Sequence, residues 1–253
     1  MAPTMKLAAV TGAGQGLGRG IAVRLGEAGY ELALLDRQDC DETAELVSAA
    51  GATARAYRID VADEASVARA FTQIDEHQGA VTALVNAAGI FLDAPFLETT
   101  AEDWDRVMAV NARGPFVVGK EAARRMTDGG GAIVNILSNA SVQGFAGESA
   151  YCTSKGGVLL LTRTMAVELA QYGISVNGVG PGTSQTPMGT DYLGDGPIAA
   201  HELSRTPLGR WGRPEDIAEA VTFFVDRATW VTGQALYVDG GFLATGLPSF
   251  DSA

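Results

Sequence analysis

Tyr151 and Lys155 stand four residues apart in YCTSK, within a stretch that reads as helix. At that spacing both side chains share one helical face. A phenol is a weak base at neutral pH, with an ordinary pKa of about 10. A neighbouring cation favours its phenolate. The pair therefore has the parts of a general acid–base for an alcohol or carbonyl oxygen. Ser138, 13 residues before Tyr151, closes the apolar run GAIVNILS and could hydrogen-bond the same oxygen as its charge changes. Each residue also has a plainer reading. A serine there caps a strand end, and a Tyr–Lys pair decorates many helices. Only the surrounding chain can decide.

Proton transfer at a carbinol oxygen becomes redox chemistry when a hydride carrier lies beside it. TGAGQGLG, Thr11 to Gly18, follows an apolar strand and opens a helix. Its glycines are Gly12, Gly14, Gly16 and Gly18, with Gln15 and Leu17 between them. Residues without side chains let the backbone approach a pyrophosphate, and the helix N-terminus offers free N–H groups to the anion. Asp36 ends the next strand, 18 residues past Gly18. A carboxylate there accepts from ribose hydroxyls and repels a 2′-phosphate, so the expected cofactor is NAD. Arg37 pulls the other way, because a guanidinium could offset a phosphate. Gln15 stands where a basic residue would have supported NADP.

These residues need a frame. Strand-like runs (KLAAVTG, ELALLD, ARAYRID, VTALVNAAG, GAIVNILS, ISVNGVGPG, ALYVDGG) alternate with amphipathic helical stretches. Gly29 and Gly51 close the first two helices, helical stretches fall near 101–111 and 113–127, a long one runs from Glu148 to Tyr172, and another lies near 214–225. That alternation predicts a parallel sheet of about seven strands with helices on both faces, doubly wound by right-handed crossovers. No linker or repeat interrupts it, so residues 1–253 are expected to form one Rossmann-type domain. The Gly/Pro-rich stretch from Thr183 to Pro207 has no clear periodicity.

Taken in order, TGAGQGLG, Asp60–Val61, NAAG at 86–89, Asn111, Ser138, YCTSK and PGTSQT at 181–186 resemble the classical short-chain dehydrogenase/reductase family over nearly the whole chain. The resemblance implies adenine contacts from Asp60 and Val61, and a cofactor cleft lined by Asn86, Ala87, Ala88 and Gly89. Pro181 and Gly182 would pass the nicotinamide, with its carboxamide held at Ser184 and Thr186 nearby. Ser138 and Tyr151 would be catalytic. Lys155 would also bind the nicotinamide ribose, and Asn111 would hold a water in a proton relay. Relatives often carry a second serine where this chain has Leu137, a departure that should not disturb the reaction. The stretch 187–207 would be the substrate loop. Phe91, Asn139, Val142, Gln143, Phe145 and Glu148 are further wall candidates, together with Met188, Asp191, Tyr192, Leu193, Asp195, Ile198, His201 and Glu202. Gly156 and Gly157 inside the long helix suggest close packing, and relatives are homotetramers or dimers.

The expected activity is hydride transfer between NAD and a secondary alcohol or ketone. One rival is an NADPH-dependent 3-oxoacyl-carrier-protein reductase, which Asp36 disfavours. A second is a dinucleotide sensor without turnover, which the intact Asn111, Ser138, Tyr151 and Lys155 set disfavours. The formal charge of -12 argues against nucleic acid and anionic membranes as partners. No run reaches the length of a membrane span or secretory signal, so a cytoplasmic location is expected. Two isolated cysteines, Cys40 and Cys152, and two distant histidines, His77 and His201, form neither a disulfide framework nor a zinc pattern.

Overall fold

The computed structural model describes residues 6–192 and 196–245, without the side chains of 190–192 and 198. Seven strands form one parallel sheet: β1 (Leu7–Thr11), β2 (Glu31–Asp36), β3 (Ala54–Arg58), β4 (Ala83–Asn86), β5 (Gly131–Ile136), β6 (Ile174–Pro181) and β7 (Ala235–Val238). Their spatial order is β3-β2-β1-β4-β5-β6-β7, so the winding reverses between β1 and β4. The helices are α1 (Gly16–Glu27), α2 (Asp41–Ala49), α3 (Glu64–His77), α4 (Ala101–Met108), α5 (Gly114–Met126), α6 (Ser149–Leu169), α7 (Pro197–Ser204) and α8 (Pro214–Thr222). This is the doubly wound α/β fold expected from the alternation.

The period of two explains why the central strands are largely apolar, whereas the edge strand β3 exposes Arg55 and Arg58. In β1, Leu7 and Ala9 face a core that includes Phe71 and Ile74 of α3 and Val118 and Met126 of α5. Ala8 and Val10 face the opposite core, with Ile21 and Leu25 of α1 and Ile217 and Val221 of α8. Both faces are covered, so no polar alternation survives.

Helix ends follow local chemistry. The Asp63 carboxylate accepts from Ala65 N (2.9 Å) at the start of α3, and the Thr100 hydroxyl accepts from Asp103 N (3.1 Å) at the start of α4. The chain leaves α1 and α2 through the expected glycines, Gly29 and Gly51, both at φ +86°. The long helix ends four turns past Lys155, with Ala170–Tyr172 tightened into a 3-10 turn before Gly173. Within the unassigned 183–207 stretch, a 3-10 segment spans Pro187–Tyr192 and α7 follows. Between α4 and α5 the helix widens into a π-turn at Ala109–Arg113 that carries Asn111.

Candidate active site

Parallel strands bring their carboxyl ends to one edge, where a cleft of about 1050 Å³ runs across the β1/β4 reversal. At one end lies the turn from Gly12 to Gly18. Gly12 has φ +69°, and a Cβ there would come within 2.8 Å of Ala88 N. A Cβ on Gly18 would collide with the carbonyl of Gly12. The turn is therefore closed too tightly for a side chain at Gly12 or Gly18. Unlike α3 and α4, α1 has no side-chain cap and no acidic residue in its first turn. Its N-terminal N–H groups and the positive end of its dipole face the cleft, a donor set suited to a dinucleotide pyrophosphate.

Neighbouring side chains brace this turn. Thr11 Oγ1 accepts from Ala87 N (3.0 Å) and Ala88 N (3.1 Å), tying β1 to the NAAG turn. Arg19 donates to Gly14 O (2.6 Å) and to Thr43 Oγ1 (3.2 Å), and Thr43 donates to Ala13 O (2.8 Å). The Asp36 carboxylate accepts from Gly14 N and Gln38 N, both at 2.9 Å, which fixes it at the rim. Arg37 points its guanidinium at Asp60, 3.8 Å away on an exposed surface. Asp60 in turn accepts from Ala62 N (2.9 Å).

At the other end, β5 delivers Ser138 and α6 delivers Tyr151 and Lys155 to the same cleft. Ser138 begins a 3-10 turn: its Oγ accepts from Ala140 N (3.1 Å) and donates to Asn139 Oδ1 (3.0 Å). Ser138 also lies close enough to the Tyr151 phenol to favour its ionised form. The Tyr151 ring meets Phe91 edge-on at 5.0 Å, and Lys155 Nζ lies 5.7 Å from the ring centroid. Lys155 is buried and donates to Ile136 O (2.8 Å). Burial lowers its pKa to about 8, so it remains largely protonated at pH 7.

The phenol departs from the expectation that Lys155 tunes it downward. Burial dominates and pushes Tyr151 up to about 12, only partly opposed by the nearby Ser138 hydroxyl and reinforced by Glu148 and Cys152. The chain's own groups thus keep the phenol protonated at neutral pH.

Most of the expected residues converge. Gly12, Gln15, Gly16, Leu17, Gly18, Asp36, Arg37, Asp60, Val61, Ala87, Ala88 and Gly89 line the cleft, as do Pro181, Gly182, Ser184 and Thr186. Gly14, Asn86 and Asn111 lie behind its wall. The Asn86 amide turns into the core and donates to Asn135 Oδ1 (2.9 Å), whose own amide reaches Thr162 Oγ1 (2.9 Å). Asn111 brackets Ile90, accepting from its N–H and donating to its carbonyl, both at 2.8 Å. A Cβ on Gly89 would sit 3.4 Å from Asn111 Oδ1 and 3.9 Å from Lys155 Nζ, so the two flank one small gap. Of the wall candidates, Phe91, Asn139, Phe145, Glu148, Met188 and Glu202 line the cleft, whereas Val142, Gln143 and His201 do not. Val142 follows the turn after Ser138 and points to solvent. Leu193 and Asp195, and the side chains of Asp191, Tyr192 and Ile198, lie outside the described residues.

A family model described as Enoyl-(Acyl carrier protein) reductase matches residues 12–243. The chain is 40% identical over 244 residues to 2-(S)-hydroxypropyl-CoM dehydrogenase 3 of Xanthobacter autotrophicus, covering 93% of this chain and 96% of that one. It is 37% identical over 251 residues to 2-dehydro-3-deoxy-D-gluconate 5-dehydrogenase of Formosa agariphila, covering 96% and 95%. Among solved structures, gluconate 5-dehydrogenase from Burkholderia cenocepacia, in complex with NADP and tartrate, superposes with a TM-score of 0.90 at 35% identity, covering 94% and 95%. Fold and kinship together define an oxidoreductase of small molecules that uses a nicotinamide dinucleotide. The chain belongs to the classical short-chain dehydrogenase/reductase family.

Proposed function

We propose that this chain is an NAD(H)-dependent oxidoreductase that interconverts a secondary alcohol and its ketone, with Tyr151 as general acid–base. The observation that carries this reading is the convergence of Ser138, Tyr151 and Lys155 at one end of a cleft whose other end is the uncapped glycine turn. The bound nicotinamide supplies or accepts the hydride. Gly12, Gly16 and Gly18 cradle the pyrophosphate, Asp60 and Val61 flank the adenine, and Lys155 holds the nicotinamide ribose. Pro181 and Gly182 pass the ring, with Ser184 and Thr186 at its carboxamide.

The protonated phenol of Tyr151 is the form that ketone reduction needs, because it delivers a proton to the oxygen as charge develops there. Ser138, already oriented by Asn139 and Ala140, hydrogen-bonds that oxygen. Oxidation requires the phenolate, and the Lys155 ammonium is the chain's own charge that favours it. Asn111 and Lys155 flank the gap at Gly89, a suitable place for a water that resupplies the proton.

Asp36 carries the preference for NAD over NADP. Its carboxylate is fixed by two backbone N–H groups where the adenosine ribose would lie, and a 2′-phosphate would meet a like charge. The Arg37 charge that could offset this is turned toward Asp60. Assembly into a homo-oligomer, a tetramer by family resemblance, is part of the same proposal. Leu160 and Val167 of α6 and Phe116 of α5 are exposed, and Gly157 has open space around it. Sedimentation of a Gly157→Leu variant tests this, and an unchanged profile counts against it. A screen of ketones with NADH and NADPH, followed by nicotinamide absorbance, tests the activity. Reduction with NADH is expected, and a uniform preference for NADPH would overturn the cofactor assignment.

A further inference from the structure

Taking the cleft as the hydride-transfer site proposed above, a substrate's far end must extend past Tyr151 toward Phe145, Glu148 and Glu202. Glu148 immediately precedes α6, three residues before Tyr151, and is half-buried. Among the described residues its carboxyl has neither a hydrogen-bond donor nor a cation. Glu202, on α7, shares the wall and is held by Thr183 Oγ1, which donates to its Oε2 at 2.6 Å. The arginines lining the cleft, Arg37, Arg58 and Arg69, stand at the ends of β2 and β3 and on α3, beside Asp36 and Asp60. Lys155 donates to Ile136 O below the phenol and forms no ion pair with either carboxyl. The substrate end is therefore walled by two carboxyls with no basic side chain opposite them among the described residues.

We propose that the pocket selects ketones and secondary alcohols whose far end is uncharged and donates hydrogen bonds, as an amide or hydroxyl does, and rejects those ending in carboxylate or sulfonate, with Glu148 as the specificity-determining side chain. A donor supplies the partner that Glu148 lacks within the chain. An anion instead adds a like charge to a partly desolvated acidic wall, which costs affinity steeply. The groups facing Glu148 agree in sign: burial, then Glu202, then Asp93 push its carboxyl up to about 7, and it raises the proton affinity of Tyr151 in turn. Selectivity against anions should therefore strengthen as pH rises through 7 and Glu148 ionises.

Acetoacetamide, acetoacetate and methyl acetoacetate present one ketone with a donor, an anion and a neutral non-donor at the far end. With reduced cofactor bound, the wild type should show kcat/KM for acetoacetamide at least about tenfold above acetoacetate at pH 8, each normalised to methyl acetoacetate. The ratio should narrow at pH 6. Glu148→Gln should cut it by at least about fivefold, and Glu202→Gln by less, with circular dichroism confirming that both fold. A wild-type ratio near unity, or one unmoved in both variants, overturns the proposal. If no ketone turns over, the hydride-transfer reading fails separately. Thermal shift with NADH present then reads the selectivity: stabilisation by acetoacetamide but not acetoacetate supports it, and equal or absent shifts overturn it.

Discussion

Glu148→Gln makes a stability prediction independent of turnover. The folded protein holds this carboxyl at about 7 against an ordinary 4.5, because burial and the neighbouring carboxyls Glu202 and Asp93 disfavour its charge. The native state therefore binds the proton more tightly than the unfolded chain does. Its contribution to stability is full below pH 4.5 and is lost as pH rises through 7. At about 1.4 kcal/mol per tenfold change in proton affinity, the penalty above pH 7 has an upper bound of about 3.5 kcal/mol. Glu148 is only half-buried, so solvent screening reduces this to about 1–2 kcal/mol. Glutamine keeps the shape and removes the penalty. The variant should melt about 3–6 °C above wild type at pH 8. The gap should shrink to about a quarter at pH 5, where the native carboxyl is neutral and the unfolded one only partly ionised. Calorimetry at both pH values is the assay. A gap independent of pH, or a wild type that melts higher at pH 8, would refute the reasoning.

Asp36→Asn should erode the discrimination against NADPH by at least about tenfold, read as the ratio of kcat/KM for the two reduced cofactors. An unchanged ratio would remove Asp36 from the specificity argument. Gly18→Ala forces a Cβ into the carbonyl of Gly12, so NADH binding should weaken by at least about tenfold in a fluorescence titration. Binding at wild-type affinity would mean that the turn has room the geometry denies. Asn135→Leu removes the 2.9 Å acceptor of the Asn86 amide, leaving it Pro115 O at 3.4 Å, and removes one of the two bonds of the Thr162 hydroxyl, which still donates to Val158 O; it should cost about 1–3 kcal/mol by urea denaturation. A loss below about 0.5 kcal/mol would show that these groups find other partners.

The strand pattern and the glycine turn were legible because both arise from local rules: doubly covered strands are apolar throughout, and a turn this tight excludes side chains. Asp36, Ser138 and Tyr151 were legible from their places at strand ends and on one helix. The braces were not. Thr11, Arg19, Thr43 and Asn135 act across elements far apart in the chain. The helix at Pro197–Ser204 leaves no periodic trace in the sequence, because two turns are too short to display one, although Gly196-Pro197 marks its start. The proton affinity of Tyr151 was only partly legible. Spacing reveals the neighbouring cation, whereas burial, the larger influence, exists only in the folded chain.

The central claim is that Tyr151 moves the proton. Tyr151→Phe keeps the ring and its edge contact with Phe91 and deletes only the hydroxyl. Reduction of a ketone that the wild type accepts should fall by about 10²–10⁴ in kcat, while the Kd for NADH stays within about threefold. A variant that reduces the ketone at a rate near wild type would contradict the claim. So would a loss of activity fully matched by loss of NADH binding, since the hydroxyl would then be holding the cofactor and not the proton.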